Sequence, residues 1–305
     1  MVLVTLSIMI DIIFSDIDGT CVHYDMGETL VPFQGNGLER LGLEKAQFPD
    51  GRTEWVVALP ESSSGSRGIV SVKTLDMYEK LRRLGKKVVL VSGCRFATLL
   101  QRLPYLPKAD AYVCESGGRI LIPNAPQDPT ILSEDISWRN QHVGLPPKQP
   151  SGVMPREYEG DLWSFYRDIS SKGISIDIKN YSTAFRVKDS RLSPSDVAEY
   201  SSNLACSTNL GSLDVYPKTS GKLNAAKYLM DTFKSGSESS IFMCDDDNDI
   251  ELAMYVSKAF LPSITSESMR GVVEAHKSHF FVADKEGIFG TEQVLDEIIS
   301  LCSES

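Results

Sequence analysis

Three absences narrow the field before any motif is considered. The chain has no C-x-x-C pair, and its six cysteines (Cys21, Cys94, Cys114, Cys206, Cys244 and Cys302) are scattered without metal-ligand spacing. A zinc site is therefore not expected, and reduced thiols in a cytoplasmic protein are. Basic residues are in deficit, with 31 Lys and Arg against 41 Asp and Glu and a net charge of −10. This argues against the clustered basic face that holds nucleic acid, and leaves any phosphorylated ligand to be attracted by a local lysine or a bound cation. Long apolar runs are also missing. No stretch approaches the ~20 continuous apolar residues that span a bilayer, so no membrane partner is expected. Met1 to Ile13 is apolar, yet it lacks the basic start and small-residue cleavage site of a secretory signal. It runs into a strand and is read as mature structure.

What is present is a globular composition: 305 residues, 42% apolar and 24% charged, without internal repeats. That length accommodates one large domain or a core with a smaller companion. Ile8 to Ser15 is a nearly continuous apolar run of strand length, as suits a strand covered on both faces. Cys21 to Ser71 reads as a long irregular excursion rich in Gly, Pro and Ser. Then follow a helix over Val72 to Leu84 with Leu75, Tyr78, Leu81 and Leu84 on one face, a strand at Lys87 to Val91, a short helix at Phe96 to Leu103 and a strand at Ala111 to Cys114. Strands alternating with helices imply right-handed crossovers and a parallel sheet. Pro123 to Pro155 reads as a proline-rich connection. Beyond it come a helix near Glu157 to Ser171, strands at Ile174 to Ile178 and Thr183 to Lys188, a helix opened by Ser193-Pro194, and a strand at Ser212 to Tyr216. This group suggests a small inserted α+β unit. The α/β alternation resumes with a helix over Lys222 to Phe233 and a strand at Ile241 to Cys244.

Ligands of open parallel sheets bind at the carboxyl ends of the strands. Four polar clusters fall at or near such ends: Asp16/Asp18, Ser92-Gly93, Lys222 and the run Asp245-Asp246-Asp247-Asn248-Asp249. Together they supply what phosphoryl transfer requires, namely a nucleophile, a proton shuttle, a hydroxyl and an amide for phosphate oxygens, a cation, and carboxylates for a metal. A calcium loop does not fit the last cluster, because an EF-hand needs glycine where Ile250 stands and glutamate where Val256 stands.

Asp16-Ile17-Asp18-Gly19-Thr20 resembles motif I (D-x-D-G-T/V) of the haloacid dehalogenase superfamily. Ser92 resembles motif II, Lys222 motif III, and Asp245-x-x-Asn248-Asp249 motif IV, with Cys244 in place of the usual preceding glycine. Glu115-Ser116-Gly117-Gly118 is similar to the E-N-G-G stretch of the class II cap subgroup, which contains sucrose-phosphatase, phosphomannomutase and Cof-type sugar phosphatases. The resemblance implies a Rossmann-like parallel-sheet core over residues 1–134 and 214–305, with an extended loop at 21–71 and an α+β class II cap inserted over 135–213.

It also implies a mechanism. Asp16 attacks phosphorus and forms an aspartyl-phosphate, while Asp18 protonates the leaving alcohol and then deprotonates water. Mg²⁺ is expected at Asp16, Asp245 and the backbone carbonyl of Asp18, since every proposed ligand is a hard oxygen. Ser92, the Gly93 amide and Lys222 bind phosphate, and Asn248 and Asp249 orient metal and lysine. An aspartate at position 18 favours phosphatase or phosphomutase over transport ATPase or dehalogenase. The expected substrate is a small phosphorylated metabolite, a sugar phosphate, with Asp177, Lys179, Asn180, Tyr181 and Arg186 of the insert as candidate contacts. Two other readings stay open: a phosphosugar mutase of the phosphomannomutase type, and a regulatory or binding protein that keeps the fold without turnover.

Overall fold

The computed structural model describes residues 9–33, 42–61, 67–125, 128–142, 157–209 and 211–303. Strand β1 (Ile12–Ser15) is buried along its whole length. The chain then makes a four-stranded antiparallel sheet, β2 (Thr29–Pro32), β3 (Leu43–Gln47), β4 (Thr53–Ala58) and β5 (Ile69–Ser71), in that spatial order. The stretch from Cys21 to Ser71 is therefore not the irregular excursion its composition suggests. Exposed residues alternate with buried ones, Glu44 and Ala46 facing in on β3 and Val56 and Ala58 on β4. That period of two marks a half-buried strand. The Ser-rich run at 62–66 lies outside the described residues.

Helix α1 (Val72–Arg83) opens at Ser71, whose hydroxyl accepts from the Thr74 amide, and buries Thr74, Met77, Tyr78 and Leu81. Its inward face is thus rotated from the one expected: Leu84 is the C-cap and is 40% exposed. Next come β6 (Lys87–Val91), α2 (Phe96–Arg102), β7 (Ala111–Cys114), β8 (Arg119–Ala125), β9 (Asp128–Glu134) and the single turn α3 (Ile136–Arg139). The last two occupy what reads as linker. β9 pairs antiparallel with β8, and Trp138 is buried in the core, so this segment belongs to the core body.

The inserted unit comprises α4 (Asp161–Ser171), β10 (Ile176–Asp177), β11 (Phe185–Val187), α5 (Pro194–Tyr200), β12 (Leu204–Asn209) and β13 (Ser212–Pro217), with sheet order β10-β11-β13-β12. Helix α5 starts as its sequence predicts, with a Ser193/Asp196 capping box and Pro194 at its first position. Trp163, Phe165, Phe185, Val187 and Val215 form its own core. Hydrogen bonding carries β13 to Pro217, beyond the expected edge of the insert at residue 213. Strand β12 was not expected from sequence.

The chain returns through α6 (Lys222–Phe233), β14 (Ser240–Met243), α7 (Ile250–Tyr255), β15 (Lys258–Leu261), α8 (Glu267–Ala275), β16 (Phe280–Val282) and α9 (Gly287–Ser303). The large sheet runs β16-β15-β14-β1-β6-β7-β8-β9, parallel through β7 and antiparallel at the last two strands. Successive side chains of β1 divide between its faces: Ile13 packs in a cluster with Tyr78 of α1 and Leu295 of α9, whereas Ile12 and Phe14 pack with Ala225 and Leu229 of α6. The sheet is therefore covered on both sides, as its unbroken apolar strands require. Its central strand β1 sends the chain to β6 on one side and receives β14 on the other. The crevice for a ligand lies at such a switch point.

Candidate active site

Asp16 is the first residue past β1, and its amide still donates to Met243 O at 2.9 Å, which ties it to the end of β14. The chain then turns tightly, with the Gly19 amide donating to Val22 O at 2.8 Å. Gly19 has φ +87°, and a Cβ there would run into the Asp245 carboxylate. Glycine is needed at this position on both grounds. Thr20, the last residue of the motif, donates to Asp245 Oδ1 at 2.9 Å, joining the loop after β1 to the loop after β14.

Lys222 is the first residue of α6, brought to the site by Gly221 at φ +101°. Its Nζ donates to Asp16 Oδ1 at 2.6 Å, to Asp249 Oδ1 at 2.6 Å and to Asn248 Oδ1 at 3.3 Å. The other oxygen of Asp249 accepts from the amides of Asp245 and Asp246 at 3.3 and 3.4 Å. Asn248 and Asp249 thus both contact the lysine, and Asp249 also ties down the loop amides. Cys244 is fully buried among the apolar residues behind that loop and displaces no polar group of the site. Ser92 follows β6 directly, is buried, and its hydroxyl accepts from the Cys94 amide at 3.0 Å, while Gly93 is buried beside it. Asp18 points elsewhere: its Oδ1 accepts from Tyr24 at 2.5 Å and from Arg102 at 2.7 Å. Neither donor stands out in the sequence.

Burial, reinforced by the Asp249 and Asp245 charges and opposed by Lys222, raises the Asp16 carboxyl well above its usual range. Burial and the Asp249 charge push Asp245 up to about 7, against the Thr20 and Thr265 hydroxyls that donate to it. For Lys222, burial acts to lower the ammonium, and the Asp16 and Asp249 carboxylates outweigh it, so the net shift is upward. The site concentrates negative charge on one buried cation. Burial also raises the thiols of Cys21, Cys94 and Cys244, Cys94 to about 12, so none of these three cysteines is a thiolate near neutral pH.

Asp16, Asp245 and Asp249 each present one oxygen within 4.8 Å of the others. Lys222 and the two amides hold the Asp249 oxygens, the Thr20 and Thr265 hydroxyls donate to Asp245, and the same lysine holds one oxygen of Asp16. This donor set of crowded hard oxygens fits a magnesium ion, whose charge would relieve the repulsion that raises Asp245.

The turn 115–118 of the core holds the insert at the β10–β11 turn and meets the returning chain at Gly221. Glu115, fully buried, accepts from the amides of Ser182 and Thr183 at 2.9 and 2.7 Å and from their hydroxyls at 3.0 and 2.7 Å. Gly221 donates to Ser116 O at 3.0 Å. Gly117, at φ +86°, lies where a Cβ would strike the Gly221 backbone.

The insert also meets the core along β12, beside Lys222 and Asn248. A cleft of about 280 Å³ is lined by Cys206, Ser207 and Thr208 of β12, Tyr216 of β13, Lys222 and Leu223, and Asp247, Asn248, Glu251 and Ser268 of the core. None of Asp177, Lys179, Asn180, Tyr181 or Arg186 lines it. Arg186 forms a two-pronged ion pair with Asp214 at 2.6 and 2.8 Å. Asp177 bonds Arg95 of the core and also meets Lys188 at 3.2 Å. Tyr181 is buried under the Arg95 guanidinium, Asn180 takes the turn at φ +62°, and Lys179 is exposed. Asp177 and Tyr181 therefore meet the core through Arg95, while Arg186 is paired within the insert.

Comparison with known proteins bears on the fold. Residues 195–291, which contain Lys222 and Asp245 to Asp249, match the family model described as sucrose-6F-phosphate phosphohydrolase. The sucrose-phosphatase of Synechocystis sp. PCC6803, solved with sucrose and phosphate, is 13% identical over 96% of this chain and 98% of that one, with a TM-score of 0.57. A haloalkanoate-superfamily phosphatase of Bacteroides thetaiotaomicron is 12% identical over 98% of each chain, at 0.56. A Thermoplasma acidophilum protein is 14% identical over 96% of this chain and 99% of that one, at 0.56. No curated protein matches the sequence. The fold is that of the haloacid-dehalogenase-like phosphatases: a parallel α/β core with an inserted α+β cap. Among the described residues no helix is long and apolar enough to cross a membrane.

Proposed function

We propose that the chain is a cytoplasmic, magnesium-dependent phosphatase of small phosphate monoesters, and that its substrate is a sugar phosphate. The observation that carries this reading is the convergence of Asp16, Asp245, Asp249 and Lys222 at the carboxyl end of β1. The Asp16 carboxylate, positioned by the Lys222 ammonium, attacks phosphorus as the bond to the leaving oxygen breaks. Asp18 gives that oxygen its proton. Water then attacks the aspartyl-phosphate, Asp18 takes the water proton, and phosphate leaves with Asp16 restored as a carboxylate. Ser92, the Gly93 amide and Lys222 hold the equatorial oxygens where charge shifts in the transition state. Asp16, Asp245 and the Asp18 carbonyl would hold a magnesium ion, which when bound would supply charge neutralisation for the incoming dianion.

The cleft supports a sugar as leaving group. Ser207, Thr208, Tyr216 and Ser268 offer hydroxyls and Asp247 and Glu251 offer acceptors, a lining suited to a neutral polyol. Lys222 is its one cation and belongs to the phosphate end, so a carboxylate-bearing leaving group would be repelled. We infer that the cap runs from about residue 157 to 217, following the hydrogen bonding of its sheet.

The experiment is phosphate release from a panel of phosphate esters, in magnesium and in chelator. Stoichiometric phosphate from hexose or disaccharide phosphates, in magnesium alone, is expected. Isomerisation of a hexose phosphate without release, or preference for a phosphopeptide, would overturn the reading.

A further inference from the structure

Asp18 is the one motif carboxylate that the acidic cluster does not include. Its side chain stands 34% exposed at the edge of the site and receives two donors on a single oxygen. Tyr24 Oη donates to Oδ1 at 2.5 Å, and Arg102 Nη1 donates to the same Oδ1 at 2.7 Å. We propose that Tyr24 and Arg102 are positioning residues for Asp18, fixing its carboxylate through Oδ1 so that Oδ2 carries the proton between leaving group and water. This rests on the reading of Asp18 as the acid and base of the reaction.

An aspartate on a turn rotates easily about its first side-chain bond. Unrestrained, this one could swing toward the cation site that Asp16 and Asp245 share, where it would act as a further ligand and shuttle no proton. A buried guanidinium on the other side prevents that swing by direct charge attraction, because Arg102 is only 8% exposed. Tyr24 supplies direction. Its ring lies beneath Arg102, with 5.9 Å from guanidinium carbon to ring centroid. Its other flank lies against Gly68, where a Cβ would come within 2.9 Å of Cε1 and 3.0 Å of Cζ. Gly68 and Tyr24 face each other next to the antiparallel bridge between His23 and Ile69, which ties the chain after β1 to β5. The stretch that composition reads as a loose excursion thus supplies one of the two groups that aim the proton shuttle.

Proton accounting gives the inference a specific consequence. In the first step Oδ2–H donates to the leaving oxygen as its bond to phosphorus breaks. In the second Oδ2 accepts a proton from water as the water oxygen bonds phosphorus and Asp16 is released. An alkoxide leaving group needs the first transfer, whereas p-nitrophenolate leaves without it. Both substrates need the second. A misaimed Asp18 should therefore slow phosphorylation by an alkyl ester strongly and leave phosphorylation by p-nitrophenyl phosphate nearly as fast, followed by slow turnover of the phosphoenzyme.

The test uses full-length protein with magnesium, comparing glucose 6-phosphate (or the best sugar phosphate of the panel) with p-nitrophenyl phosphate in rapid-mixing experiments. Tyr24→Phe removes only the hydroxyl and keeps the ring packed, so it is the decisive variant; Arg102→Lys keeps charge and loses geometry. Expected for Tyr24→Phe is a ~10-fold or greater fall in kcat for the sugar phosphate, within the range of acid–base contributions, with KM little changed. With p-nitrophenyl phosphate a burst of p-nitrophenolate should appear ahead of a slower steady state. Added to Asp18→Asn, Tyr24→Phe should cost nothing more. Equal slowing of both substrates without a burst, no slowing at all, or a full additional loss on the Asp18→Asn background would overturn the inference while leaving the phosphatase reading intact. A wild-type protein that releases phosphate from neither ester would overturn both.

Discussion

Lys222 and Asp16 are 206 positions apart in the chain, and Lys222 Nζ lies 2.6 Å from Asp16 Oδ1 with both side chains more than nine-tenths buried. The same ammonium reaches Asp249 at 2.6 Å, so one cation balances two buried carboxylates and stands beside a third, Asp245. Removing one partner of such a group leaves uncompensated buried charge, which typically costs ~3–5 kcal/mol. Lys222→Met is expected to lower the unfolding free energy extrapolated from urea titration by an amount in that range, with a lower midpoint, and to abolish turnover. Addition of magnesium should recover part of the lost stability. A midpoint equal to wild type would show that the cluster is already neutral without the lysine.

Asp16→Asn keeps the shape and removes the nucleophile and one negative charge from a crowded site. It should fold with at least wild-type stability, lose turnover by ~10³-fold or more, and fail to form an acyl-phosphate or a beryllofluoride adduct. Substantial residual turnover would place the covalent step on another residue.

Asp245 sits near pH 7 through burial and the Asp249 charge, and a divalent cation binding there should stabilise the folded state by mass action. Chelation is expected to abolish activity, with recovery on adding magnesium. The thermal midpoint should rise with magnesium concentration in the wild type and stay flat in Asp245→Asn. Full activity in metal-free buffer would remove the cation from the mechanism.

Glu115 accepts from two amides and two hydroxyls across the junction of core and cap. Glu115→Gln turns one acceptor oxygen into a donor facing donors, at a cost of about 1–3 kcal/mol. Proteolysis near residues 182–183 should accelerate, and KM for the sugar phosphate should rise more than kcat falls. An unchanged cleavage rate would show that the clasp adds nothing to closure.

His23 and His142 are buried rings whose pKa burial lowers to about 4. In the unfolded chain each titrates near ~6.5, so between these values the unfolded state binds a proton that the folded state refuses. Stability therefore falls as pH drops from ~6.5 toward 4, by up to about 3 kcal/mol for each ring, and levels below that. Thermal unfolding of wild type and His23→Gln across this window should show a shallower dependence in the variant. Parallel curves would mean that the ring titrates alike in both states.

How much of this was legible follows the range over which each signal acts. The four motif clusters and the strands before them are local: IIFS, KVVLV and SIFM are apolar runs that lead into the polar residues proposed to carry the chemistry. Sequence alone determined the parallel core, the inserted unit and the positions of Asp16, Ser92, Lys222 and Asp245, because a strand's burial and its carboxyl end are written in consecutive residues. The tertiary structure decided the rest. Strand β12, LACSTN, carries no strong strand signal of its own and is a strand because β13 pairs with it, so the polar edge that lines the cleft could not be picked out. Asp177 and Arg186 look available as polar side chains on a strand, yet their partners Arg95 and Asp214 stand 82 and 28 residues away. Arg102, 84 residues from Asp18, was invisible for the same reason, and Tyr24, though only six residues away, is directed by the pairing of His23 with the distant Ile69, which no local pattern encodes.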